Sequence, residues 1–292
     1  MQKITYVNAY GEAIVFSGEN PLLLRSVSGL SRPEALISSV QGAYQHGAVI
    51  SRMQLPMRSV EVRFDILPQE SREAFYAQRM RIERVLASSR AMREGMTGVL
   101  VYENDAGRWQ ADAVPEGSIA YGKRMGNAAA DNRIGFICPN PYFFGSEAES
   151  VQLRMGSGGL SLPSALPLRL GSRRFDAEIV NRGTADAPVT ITVFGTGETP
   201  TVINHTTGAK ITVSRQVATG EKLVICTQPN ALSCTLIRTD GTQEDAFAHL
   251  DPSSAVSAFA LIPGTNAVEY VPGAASTQSR VEIAWRNCYE GV

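Results

Sequence analysis

Hydrophobic and polar positions alternate with a period of two in many short stretches of this chain, and these crowd into its second half. Residues 180–195 (VNRGTADAPVTITVFG), 200–213 (PTVINHTTGAKITV) and 250–270 (LDPSSAVSAFALIPGTNAVEY) alternate between turn-tolerant residues. Such a pattern predicts half-buried strands joined by tight turns. In the first half, residues 5–16 read as a hairpin, with Tyr6 and Ile14/Phe16 flanking a turn that carries Asn8 and Gly11. The cleanest strand puts Val60, Val62, Phe64 and Ile66 on one face and Ser59, Glu61, Arg63 and Asp65 on the other. Residues 17–44 give only weak strand signals.

After Pro68 the period changes. Ser71 is a candidate N-cap, and a helix is predicted over about 71–94, stopped by Gly95. Phe75, Ile82, Val85 and Leu86 form its apolar stripe, while Arg72, Arg79, Arg84, Arg90 and Arg93 occupy the opposite surface. Its length would be on the order of 35 Å. A second hairpin is predicted over 97–114, and the small, polar run 122–135 suggests a domain boundary at 130/131.

Beyond that boundary, strands are predicted around 189–193, 201–203, 211–213, 223–226, 232–239, 243–247, 259–262, 267–271 and 281–285. Hairpin turns fall at Thr207-Gly208, Asp240-Gly241 and residues 264–266. Residues 156–168 are rich in Gly, Ser and Pro, but their leucines suggest a packed edge. The expected fold is mainly β: a β-sandwich-like first domain (1–130) with one long helix, and a sandwich for residues 131–292.

Composition adds mostly exclusions. The 27 basic and 28 acidic residues nearly cancel, leaving no electrostatic footprint for nucleic acid or an anionic membrane. The first residues lack a signal-peptide core and no run approaches a membrane span, so the expectation is synthesis and folding in a cytoplasm. Four cysteines (Cys138, Cys226, Cys234 and Cys288) form no C-x-x-C pair; a Cys226–Cys234 hairpin disulfide stays open as a possibility. Gly195-Thr-Gly197 lacks the rest of a phosphate loop, no G-x-S-x-G elbow occurs, and His46, His205 and His249 stand apart. Neither catalysis nor a cofactor is expected. Carbohydrate binding would have to recruit Trp285, Asn204, His205 and Arg174, but Trp285 is in phase with Val281 and Ile283 on the predicted core face.

Several segments in order carry a resemblance: residues 6–16, Gln45-His-Gly47, the Arg-rich helix, 139–143, 159–163, 180–183, 204–208, 220–225 and 263–266. Together they resemble the distal tail (Dit) proteins of bacteriophages with long non-contractile tails. That resemblance implies a ring-forming first domain and a galectin-like second domain. It also implies a homo-hexamer in the virion, set between the tail-tube ring and the tail-tip or baseplate receptor-binding proteins, with a central channel for DNA. Cys226 stands where the family suggests an acid before Thr227, so the turn there is expected to be bonded differently. On this reading the ring contacts would come from the first hairpin (Tyr6, Asn8, Phe16) and the helix face (Arg72, Arg79, Arg84, Arg90). The alternative is an adhesin that reads host cell-wall polysaccharide through the second domain.

Overall fold

The computed structural model describes residues 2–44, 46–87, 96–154, 175–195, 198–273 and 279–292. The chain divides into two units, one of residues 1–146 and 289–292, the other of residues 147–288.

The first unit holds β1 (Lys3–Val7), β2 (Ala13–Phe16), β3 (Leu22–Ser28), β4 (Leu36–Val40), β5 (Val49–Gln54) and β6 (Arg58–Ile66). The helix α1 (Arg72–Val85) follows, then β7 (Gly98–Asn104), β8 (Gly107–Ala120), β9 (Lys123–Met125), β10 (Ala128–Cys138) and β11 (Phe143–Gly145). The main strand path runs β2-β1-β7-β8-β10-β6-β3. β8 joins its two halves: residues 107–113 pair with β7, and positions from Val114 to Ala120 pair with β10. Gly117, at φ +68, lies within the switched segment. A strand that changes partners partway turns the corner of a sandwich.

The inner faces meet in one core that includes Tyr6, Phe16, Val60, Val62, Phe64 and Phe136, with Phe75, Ile82 and Val85 supplied by the helix. Ser71 caps that helix as expected, its hydroxyl accepting from Ala74 N at 3.1 Å. The helix is shorter than predicted. It ends at Val85, because Leu86 leaves helical geometry (φ −91, ψ 9) and is buried in the core. The expected continuation over 88–94 and the stop at Gly95 lie outside the described residues.

The expected boundary at 130/131 is also corrected. β10 continues to Cys138, pairing with β6 along Asn132–Cys138, and cannot leave the first sheet system before then. Its bulge puts Asp131 at φ +58 and buries Asn132, whose amide donates to the carbonyls of Phe64 and Ala129, both at 3.1 Å. Asp65, read as solvent-facing, is instead buried, bonded to Arg25 Nε at 2.6 Å and to Asp131 N at 2.8 Å.

The second unit contains β12 (Glu149–Arg154), β13 (Phe175–Asn181), β14 (Ala187–Phe194), β15 (Thr201–Asn204), β16 (Lys210–Thr212) and β17 (Lys222–Cys226). It continues with β18 (Ser233–Ile237), β19 (Gln243–Asp245), β20 (Ala260–Leu261), β21 (Gly264–Val271) and β22 (Arg280–Trp285). One sheet runs β12-β22-β14-β17-β18-β19 with β20 on β14, and the other runs β13-β21-β15-β16. Alternate side chains of β14, β17 and β22 are buried, as a sandwich interior requires.

The turns at Thr207-Gly208 and Asp240-Gly241 join β15–β16 and β18–β19. The predicted hairpin over 264–266 does not form. β20 pairs with β14 while β21 pairs with β13 and β15, because Asn266 turns inward and binds Ile262 N, Ile262 O and Gly264 O. Thr227 closes the turn after Cys226 itself, its hydroxyl accepting from Val189 N at 2.9 Å. The packed edge expected over 156–168 lies outside the described residues.

All four cysteines are free thiols. Cys234 pairs directly with Ile225, which puts it on the face opposite to Cys226 and rules out the hairpin disulfide. Burial pushes the thiols of Cys138 and Cys234 up to about 11 and that of Cys288 up to about 12. Unfolded thiols ionise near ~8.5, so the unfolded chain loses these protons first as pH rises. Stability is therefore expected to be full below about pH 8.5 and to fall as pH rises through about 11 for Cys138 and Cys234 and about 12 for Cys288. Urea midpoints measured between these limits check it; a flat profile would contradict the burial of these thiols.

Candidate assembly interface

β4 and β5 form a two-stranded sheet of their own, separate from the sandwich. All eleven of their residues are exposed. A lone two-stranded ribbon is at best marginally stable in water. This one nevertheless exposes Leu36, Ile37, Val40, Val49, Ile50 and Met53, each by more than half. The register places Ile37, Met53 and Ile50 on one face and Leu36, Val40 and Val49 on the other, with an irregularity at Ser38/Ser39. Both faces thus carry apolar side chains, and neither outer edge pairs with another described strand.

Natural edges are usually blunted by charge or proline. From residue 35 to residue 60 the sequence contains no Asp or Glu. Arg52 is the only charged side chain within the two strands. A contiguous exposed apolar surface of this kind is a candidate protein–protein contact. At the far end of the ribbon Tyr44 is wholly exposed, and at its near end a groove of about 660 Å³ opens between the ribbon and the sandwich.

The residues expected to make ring contacts are placed differently. Tyr6 and Phe16 are core residues, 1% and 0% exposed, with Tyr6 packed on Phe136 and Phe16 on Phe64. Burial pushes the Tyr6 phenol up to about 12. Asn8 staples the β1–β2 turn, accepting from Tyr10 N and Glu12 N at 3.0 Å and donating to Val85 O at 3.3 Å. Their alternation was correctly read as a hairpin, but its inward phase belongs to the core.

On the helix, Arg72 is exposed, Arg79 lies 3.9 Å over the ring of Tyr121, and Arg84 bridges Glu12 at 3.0 Å. Arg124 adds a bond to the Tyr76 hydroxyl at 2.7 Å. Much of the basic face is therefore engaged within the unit. Arg90 lies outside the described residues.

The side chains named for sugar recognition do not form a site. Asn204 is fully buried, donating to Ala260 O at 3.0 Å and to Asn266 Oδ1 at 3.2 Å. Trp285 is a core residue whose indole donates to Asn287 Oδ1 at 3.3 Å. Arg174 lies outside the described residues. His205 alone is exposed, 2.7 Å from Glu269, beside a shallow acidic depression with Asp176 and Glu178. Among the described residues no group of three or more His, Cys, Asp or Glu is arranged to hold a metal ion. No described helix is long and apolar enough to cross a membrane.

Sequence reasoning also missed Arg58. It is 1% exposed, and its guanidinium is held by four backbone carbonyls. Nε donates to Pro141 O at 2.8 Å, Nη1 to Gly29 O and Ser31 O at 2.6 Å each, and Nη2 to Glu290 O at 2.5 Å. The guanidinium also lies 4.5 Å over the Phe143 ring. Its phase was the available signal: Arg58 shares the register of Val60, Val62 and Phe64, the buried side of β6.

Residues 182–289 match the family described as siphovirus-type tail component, C-terminal domain. The SPP1 Dit (gp 19.1) protein, described as a paradigm of the hub adsorption apparatus in phages infecting Gram-positive hosts, superposes with a TM-score of 0.67. That match has 15% identity and covers 99% of each chain. A chain of the phage p2 baseplate in its activated conformation with Ca gives a TM-score of 0.52 at 13% identity, covering 100% of this chain and 99% of that one. The same baseplate with Sr gives 0.52 at 14%, covering all of both chains. No curated protein matches this chain. The distal tail resemblance read from the sequence is borne out, and the fold is Dit-like over the whole chain.

Proposed function

We propose that this chain, a siphovirus-type tail component by its residues 182–289, is the structural hub of a phage tail. Six copies close into a ring between the tail tube and the tail-tip or baseplate apparatus. The first units build the ring, the second units carry the partner proteins, and the central channel passes DNA. The protein assembles in the host cytoplasm and works in the virion by geometry, without catalysis or a cofactor.

The observation that carries this reading is the β4–β5 ribbon, an acid-free, two-faced apolar element with nothing of its own sandwich paired to it. Repeated around an axis, such an element finds cover in its neighbours. Likeness to a protein described as a hub, over 99% of both chains, supports the same reading. The carbohydrate alternative loses two of its four side chains to the core, Asn204 and Trp285.

Light scattering on the purified chain across a concentration series tests the proposal. Self-assembly is expected to give a species near about 188 kDa, six chains of 31.4 kDa. A strict monomer at every concentration would contradict it.

A further inference from the structure

We propose that the ring closes through a tip-to-root contact, in which Tyr44 at the ribbon tip of one copy enters the groove at the ribbon root of the next. This deepens the hub reading and rests on its premise that copies of the chain assemble.

Tyr44 is 107% exposed and sits at φ +62, a region that L-residues with bulky side chains rarely adopt. Holding a bulky side chain there is strained, and its full exposure shows that burial within the chain does not offset the strain. Strain of this sort persists where it serves a site. An extruded tyrosine is also a common kind of interface anchor, with a rigid ring, a polar tip and few torsions to freeze.

The groove has the complementary chemistry. Its walls include Pro33, Leu36, Ile37, Pro56 and Met57, and Glu34 at its rim supplies an acceptor for a phenol. At about 660 Å³ it has room for an aromatic side chain together with its flanking backbone. Met57 is 63% exposed, and so is open to an incoming chain.

The occupant has to come from a second copy. Five or six residues of extended strand separate tip from root by roughly 17–20 Å, so a chain's own tip stands clear of its own groove. A contact between two different patches is heterologous, and repeating it generates a ring when the rotation closes. A tip-to-tip contact would instead stop at a dimer. The absence of acidic residues from 35 to 60 removes a source of like-charge repulsion as ribbons approach one another.

Crosslinking tests the contact directly. Y44C and M57C are made as separate chains in a C226S background, which leaves only the buried thiols of Cys138, Cys234 and Cys288. After mixing and oxidation, a disulfide dimer is expected from the mixture and from neither chain alone, and the Y44C/M57C double variant should give a ladder. Y44A, which removes a side chain wholly exposed in the monomer, should weaken assembly at least tenfold, with Y44F close to wild type. An assembled mixture without the crosslink, or equal crosslinking of Y44C alone, overturns the contact and leaves the hub standing. A chain that is monomeric throughout overturns both.

Discussion

Replacing Arg58 by methionine is expected to destabilise the first unit by about 3–5 kcal/mol, enough to consume much of a typical domain's margin. The methionine fills the volume over Phe143 but donates nothing. The carbonyls of Gly29, Ser31, Pro141 and Glu290 would each lose a donor now at 2.5–2.8 Å. A buried acceptor left without a partner costs about 1–3 kcal/mol, and partial relaxation brings four such losses down to the stated range.

Those four carbonyls come from three separate stretches of chain. The guanidinium therefore fastens the loop before β4, the segment after β10 and the final residues to one point. The final residues are further held by Val292 N on Leu30 O at 3.1 Å and by Tyr289 set edge-on to Trp109. Lysine cannot replace this fork, since a single ammonium cannot reach four fixed acceptors in a plane, and R58K should recover only part of the loss. Burial lowers the Arg58 pKa, yet the group stays charged at any pH at which the protein is handled. The loop it binds is equally constrained: Gly29 lies at φ +84, and a Cβ there would fall 2.0 Å from Ser59 O. Urea denaturation of the full chain measures the effect. A loss below about 1 kcal/mol for R58M would show that the buried fork does not hold the unit together.

Excising the ribbon should have the opposite profile, with the fold kept and the assembly lost. Residues 36–54 would be replaced by a short Gly/Ser turn joining Ala35 to Leu55. The ladder of β4 and β5 is made between themselves, so the sandwich keeps every strand pairing of the main path. Seven large apolar side chains leave with the ribbon: Leu36, Ile37, Val40, Tyr44, Val49, Ile50 and Met53. At about 1.5 kcal/mol or more for each one buried between copies, the lost driving force is on the order of 10 kcal/mol per copy, before the costs of association. The excised chain is expected to scatter as a monomer somewhat lighter than the 31.4 kDa full chain, with a β circular dichroism spectrum that keeps the sandwich signal and improved solubility. A variant that still assembles as the wild type does would remove the ribbon from the interface.

These two elements also show where the sequence was legible. β6 was read correctly because one face is core and the other is largely wet, so polarity and geometry share a period. The helix start and the turns at Gly208 and Asp240-Gly241 were legible because caps and positive φ select particular residues. The ribbon was not, since an element with two apolar faces has no apolar/polar alternation to read within its own strands. Asn204 and Asn266 looked like surface or turn residues for a related reason. Their buried amides bind each other across 62 residues, and Asn204 also reaches Ala260 O, which local pattern does not encode. The boundary at 130/131 failed because a small, polar run that resembles a linker is in fact β9, a tight turn and the bulged start of β10. The final four residues belong to the first unit, whereas β22, the strand before them, stays in the second.

The most direct test of the hub proposal is single-particle electron microscopy of the assembled wild-type chain. End-on class averages should show a closed ring of six copies around an axial opening, with density from the ribbons bridging adjacent copies. A two-fold dimer, an open filament, or a ring without an opening would contradict it.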